Sequence, residues 1–194
     1  FVVIGRRPGS AREFTEKTGI PVETGGIESF LKRDTRVPRA AIVAVDVSGL
    51  AKVTRYLLRQ GCRRILVEKP AGLNARETGA VARDTLRYRA EIFVAYNRRF
   101  YASTQRALEM IAKDGGVRSF NFEFTEWSHK IAPLAKPREV KRNWFLANSS
   151  HVVDMAFFLG GRPVTLSAHT KGRLNWHPAA SIFSGSGSSA TGAS

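Results

Sequence analysis

Lys69 stands at the end of an apolar run, Ile65-Leu66-Val67, with Glu68 before it and Pro70 after it. Three such residues read as a buried strand, and ligands of open α/β sheets sit beyond the carboxyl ends of strands. Pro70 cannot continue a sheet ladder, so it stops the strand and fixes the chain just past the lysine. An ammonium group held there can act as a general acid or hold a substrate hydroxyl. The plain alternative is a surface lysine after a strand. His151 and Asp154 make the second pair: three residues apart on a helix, they project from one face. An imidazole with a carboxylate close by can exchange a proton with a hydroxyl or a carbonyl carbon. A helix-surface contact is the alternative there.

Elements of regular length have to position these groups. Residues 1–4 form a short apolar strand, and the turn-rich Gly5-Arg6-Arg7-Pro8-Gly9-Ser10 leads to a helix over 11–18 with Ser10 as its cap and Gly19 as its end. Ile20 and Val22 suggest a strand, and 26–32 a helix. A β-type run follows at 40–45, then a helix over 50–59 ending at Gly61, the strand 64–67, a helix over 74–87 capped by Asn74, and the strand 92–95. Short strands alternating with helices of this length are the pattern of βαβ units on one parallel sheet, covered on both faces by right-handed crossovers. The first half is therefore expected to be a doubly wound nucleotide-binding domain of Rossmann type, over residues 1–100.

The pattern changes after Phe100. A helix over 103–113 precedes 117–127, where Phe120, Phe122 and Phe124 alternate with polar residues as in a half-exposed antiparallel strand. Residues 128–142 read as a basic loop, 145–159 as a helix closed by Gly160-Gly161, and 164–170 as another alternating strand. Residues 101–183 are thus expected to be the start of an α+β domain with a mostly antiparallel open sheet. From 184 to 194 the Ser, Gly, Ala and Thr composition reads as a flexible tail.

Composition narrows the classes. The chain has 194 residues, and its 43% apolar content suffices for a core. One cysteine, Cys62, excludes an intrachain disulfide framework and fits a reducing, cytoplasmic compartment. No stretch approaches the roughly 20 apolar residues of a membrane span. His129, His151, His169, His177 and Cys62 show no metal-ligand spacing. Lysine and arginine number 31 against 16 acids, a net charge of +15. Such an excess draws nucleic acid, anionic lipid or phosphorylated small molecules. The charges are scattered as pairs without a nucleic-acid-binding motif, which favours a solvated surface first and a phosphate-bearing ligand second.

In order and spacing, several segments together resemble the glucose–fructose oxidoreductase, inositol dehydrogenase and MocA family of NAD(P)-dependent oxidoreductases. They are the run 41–61, the Glu68-Lys69-Pro70 segment, Tyr96-Asn97-Arg98-Arg99-Phe100, and His151-x-x-Asp154 followed by Leu159-Gly160-Gly161. The resemblance implies hydride transfer between nicotinamide and a hydroxyl-bearing carbon of a sugar, nucleotide sugar or cyclitol. It implies that Lys69 sits beside nicotinamide and the reacting carbon, that His151 shares proton transfer or orients substrate, and that Asp154 holds that helix and its histidine. Ser48, Glu68 and Arg98 would lie against the cofactor, and Arg99 and Asn148 near the substrate. A homo-oligomer built through the second domain is the implied assembly.

Cofactor choice has a physical argument. Rossmann domains that prefer NAD place a carboxylate at the end of the second strand, on the ribose 2′-hydroxyl. If residues 1–4 are that strand, Gly5-Arg6-Arg7 occupies the position, and two guanidinium groups suit a 2′-phosphate. NADP is expected over NAD. The chain departs from the family pattern in lacking a first strand with its G-x-G-x-x-G loop, so an upstream segment is expected before Phe1. Ala147 stands where an aspartate is frequent, four residues before His151. A non-catalytic NADP-binding paralogue or sensor therefore stays open as an alternative, with a basic nucleic-acid-binding protein behind it.

Overall fold

The computed structural model describes residues 1–34 and 36–193. In it, β1 (Val3–Ile4) pairs in parallel with β2 (Val22–Glu23), joined by α1 (Pro8–Thr18). Pro8 opens α1, where its missing N–H costs nothing, so the helix starts ahead of Ser10. Gly19, at φ 70°, closes it in the left-handed conformation. After α2 (Gly26–Arg33) come β3 (Ala40–Val43), α3 (Leu50–Gln60), β4 (Arg64–Val67), α4 (Ala75–Arg87) and β5 (Glu91–Val94). These three strands form one parallel sheet in the order β3-β4-β5, with Ile65 opposite Ala41 and Ile92.

Strand alternation divides that sheet into two unlike faces. Val43, Ile65 and Val67 point toward Leu50, Leu57 and Leu58 of α3, and with Cys62 and Ala71 they make the main core. Ile42, Leu66 and Phe93 lie in register on the opposite face, exposed by 77%, 39% and 63%. Coverage by crossovers on both faces was the expectation. Among the described residues only one face is covered, because α3 and α4 both lie on the Ile65 side. The single sheet expected from sequence is also divided. No ladder joins β1 to β3, so β2-β1 and β3-β4-β5 are separate. Each block keeps an edge that nothing pairs among the described residues.

The second half contains α5 (Ala102–Lys113), α6 (Ser128–Ile131), α7 (Arg138–Arg142), a π-helical turn at Phe145–Ser149 and α8 (Ser150–Gly160). The hairpin of β6 (Pro163–Lys171) and β7 (Ile182–Ser189) follows. Residues 117–127 are not a strand, contrary to the alternating pattern. Their aromatics pack instead on the helices, Phe120 and Phe122 edge-on to Phe157 and Phe124 stacked on Phe145. β6 and β7 pair with each other, which leaves this segment no ladder. The expected basic loop at 128–142 holds two short helices.

The Ser/Gly-rich segment after 184, read as a flexible tail, forms most of β7; Ser194 lies outside the described residues. Its glycines serve close approach rather than freedom. A Cβ at Gly185 would come within 2.6 Å of the Ser167 carbonyl oxygen, and one at Gly187 would run into that of Thr165. No described helix is long and apolar enough to cross a membrane.

Leu58 is wholly buried in the main core. Leu58→Ala is expected to lower unfolding free energy by about 2–5 kcal/mol, measured as an earlier urea midpoint by far-ultraviolet circular dichroism. A midpoint equal to wild type would contradict this core assignment.

Candidate functional site

β4 delivers Lys69 to the sheet's carboxyl end. Val67 is buried, and the Glu68 amide still donates to the Val43 carbonyl at 2.9 Å, so the chain is held to β3 until the residue before the lysine. Pro70 and Ala71 are buried beyond it, and the Ala71 amide returns to the Glu68 carbonyl at 3.0 Å. Ala71 adopts φ 69°, a left-handed conformation that costs a non-glycine residue about 1 kcal/mol or more and often marks a functional loop. The loop then locks onto α4: Asn74 Oδ1 accepts from the Glu77 amide at 3.0 Å, and the Glu77 carboxylate accepts from the Leu73 amide at 2.8 Å. This reciprocal capping fixes both ends of a short segment.

The Lys69 ammonium reaches across to the second half of the chain. Nζ donates to the carbonyls of Ala147 at 2.8 Å and Asn148 at 3.3 Å, both on the π-helical turn that leads into α8. Such turns leave carbonyls off the regular helical ladder and recur at functional sites. Burial pushes Lys69 below the usual lysine value; Glu68 and Glu126 oppose the shift, and Arg98 adds to it.

His151, in the first turn of α8, is half-buried, and its ring stands edge-on to Tyr96 with centroids 5.9 Å apart. Its Nδ1 is buried without a hydrogen-bond partner among the described residues. Burial pushes its pKa below the ordinary histidine value. The positive charges of Lys69 and Arg98 push the same way, against Glu68 and Asp154. At neutral pH the imidazole is therefore held in its neutral form.

Asp154 does not hydrogen-bond to His151. Its carboxylate takes Arg99 in a two-pronged pair, Arg99 Nε to Oδ2 at 2.8 Å and Nη2 to Oδ1. The same guanidinium lies 4.8 Å over the Phe158 ring, so Arg99 ties the turn Asn97–Phe100 after β5 to α8. Asn148 has its side-chain amide on Glu126 at 3.1 Å. Arg98 is exposed, and Ser48 is exposed on the 3-10 turn Val47–Gly49 after β3. Arg6 and Arg7 follow β1. Arg6 makes one long, exposed contact with Asp46, at 3.5 Å.

Lys69, Arg98, His151 and the 147–148 carbonyls thus converge, whereas Arg6 and Arg7 lie apart at the end of β1. A cavity of about 610 Å³ opens between Tyr96, Arg99, Phe145 and Asp154, but neither Lys69 nor His151 lines it. Sequence reasoning missed Glu126. Its partners are 18 to 23 residues away in the chain, so no local pattern announces it.

These elements define a Rossmann-type α/β fold with a small antiparallel sheet. No protein-family model matches the chain, and no curated protein matches it in sequence. Solved structures share its fold at low identity. The WlbA dehydrogenase of Chromobacterium violaceum, in complex with NADH and UDP-GlcNAcA, aligns with TM-score 0.75 and 15% identity over 100% of this chain and 56% of its own. A levoglucosan dehydrogenase with NADH and levoglucosan gives 0.72 and 20% over 99% and 55%. An oxidoreductase of Agrobacterium radiobacter with NAD+, L-tartaric acid and magnesium gives 0.72 and 18% over 99% and 56%. The chain spans little more than half the length of each.

His151 is expected to titrate below the normal histidine range in proton NMR. Asp154→Asn should lower its pKa further, because the change removes a negative charge that raises it and frees the Arg99 cation. In both proteins the unfolded chain binds this proton at higher pH than the folded one, so the group's contribution to stability declines as pH drops below the unfolded value. An upward shift in the variant would contradict the electrostatic assignment.

Proposed function

We propose that this chain carries the reacting centre of an NAD(P)-dependent oxidoreductase acting on a hydroxyl-bearing carbon of a sugar, nucleotide sugar or cyclitol. The observation that carries the reading is the meeting of the strand-end Lys69 with the turn that leads into His151, at the carboxyl end of a parallel sheet. Nicotinamide, when bound, supplies the hydride acceptor or donor. Lys69 Nζ takes the substrate hydroxyl proton in the oxidative direction and returns it in the reductive one, a task favoured by the downward push on its pKa. The neutral His151 imidazole orients the same hydroxyl or shares its proton. Arg98, exposed beside both, and Ser48 and Glu68 at the strand ends face the cofactor, with Asn148 toward the substrate. Arg99 and Asp154 satisfy each other, and their role in this reading is to hold the helix of His151.

The residues after β1 fit the phosphorylated dinucleotide. No acid follows Ile4; Gly5, Arg6 and Arg7 do. The exposed Arg6–Asp46 contact is weak enough to yield to a 2′-phosphate, which favours NADP over NAD. We also propose a homo-oligomer, supported by the outward Val164, Leu166 and Ile182 of the β6–β7 hairpin, and a cytoplasmic setting, supported by the buried free thiol of Cys62. One observation favours a second reading, a cofactor-binding sensor without turnover: no carboxylate among the described residues hydrogen-bonds to His151.

Fluorescence titration with NADPH and NADH separates these readings. Tighter binding of NADPH is expected, weakened in Arg6→Ala/Arg7→Ala. Lys69→Ala should keep cofactor binding and lose turnover on a sugar substrate by about a hundredfold or more. Binding without turnover in the wild type would select the sensor, and absence of binding by folded chain would reject both.

A further inference from the structure

Glu126 lies on the extended segment between α5 and α6, and its carboxylate gathers three donors from around the π-helical turn. Trp144 Nε1 donates to Oε2; Ser149 Oγ at 2.6 Å and Asn148 Nδ2 at 3.1 Å both donate to Oε1. These donors lie just before the turn and on its last two residues. The turn's carbonyls at Ala147 and Asn148 are the acceptors of the Lys69 ammonium. Trp144 and Ser149 are buried, so neither donor has ready access to water in place of the carboxylate. We propose that Glu126 is a positioning residue that sets the reactivity of Lys69 by bracing the turn whose carbonyls cradle its ammonium group.

The inference rests on the reading of Lys69 as the proton-transferring group. The charged groups around Lys69 come from several elements: Glu68 on its own strand end, Arg98 after β5, His151 on α8 and Glu126 itself. Glu126 both braces the acceptors and contributes negative charge. Its loss releases the ammonium and makes the neutral amine easier to form.

Pulse labelling with acetic anhydride at pH 8, read by peptide mass spectrometry, measures the reactivity of Lys69 relative to the exposed Lys113. It needs neither cofactor nor substrate, so it is independent of the turnover assay that tests the role of Lys69. In Glu126→Gln the ratio is expected to rise several-fold, and in Glu126→Asp, which keeps the charge but is too short to hold all three donors, to rise as well. An Asp variant at the wild-type ratio would assign the effect to charge alone and overturn the bracing role. A Gln variant with unchanged circular dichroism and an unchanged ratio would overturn the proposal. If that variant does not fold, Trp144→Phe/Ser149→Ala removes two donors from the same carboxylate. A rise in the ratio there supports the proposal, and no change overturns it.

Discussion

The contact between the Lys69 ammonium and the carbonyls of Ala147 and Asn148 is the interaction on which this architecture turns. It joins the end of a buried parallel strand to a segment 78 residues further along the chain. An ammonium group taken partly out of water must find acceptors or lose its charge. The π-helical turn supplies them from backbone, leaving the Glu68 carboxylate exposed, where it accepts from the Lys69 amide at 3.2 Å. The lysine is thereby fixed at the sheet's carboxyl end by the element that introduces His151.

A second link acts in parallel. Arg99 and Asp154 pair across the two halves, with Asp154 largely buried and the guanidinium stacked on Phe158. A pair of this kind contributes geometry more dependably than stability, because desolvation offsets much of the attraction. It also explains why the helical spacing of His151 and Asp154 misleads. Both residues lie on one face, but the better partner for the carboxylate is a fork-shaped guanidinium from another element.

Local patterns were legible wherever local chemistry decided the outcome. Arg64–Val67, the Asn74 cap and the closures at Gly19 and Gly61 were readable because a short apolar run, an Asx cap and left-handed glycines act over a few residues. The positions of Lys69 just after a strand and of His151 on a helix were legible too. What was not legible depended on distant partners. Phe120, Phe122 and Phe124 alternate like a strand, yet strandhood needs a neighbouring ladder, and Phe157 and Phe145 offered rings instead. The Ser/Gly run at 184–189 looked structureless until β6 gave it a backbone to approach. Glu126 was invisible because each of its donors comes from another element.

The two links between the sheet and α8 also set how that helix can move. One anchor grips Ala147 and Asn148, the other Asp154, and two fixed points define an axis. Sliding or lifting the helix breaks a charged hydrogen bond, and only rotation about that line, which runs along the helix, keeps both. His151 lies between the anchors, near the pivot. Displacement of the hairpin beyond Gly161 therefore does not reach the imidazole unless one of the two anchors breaks.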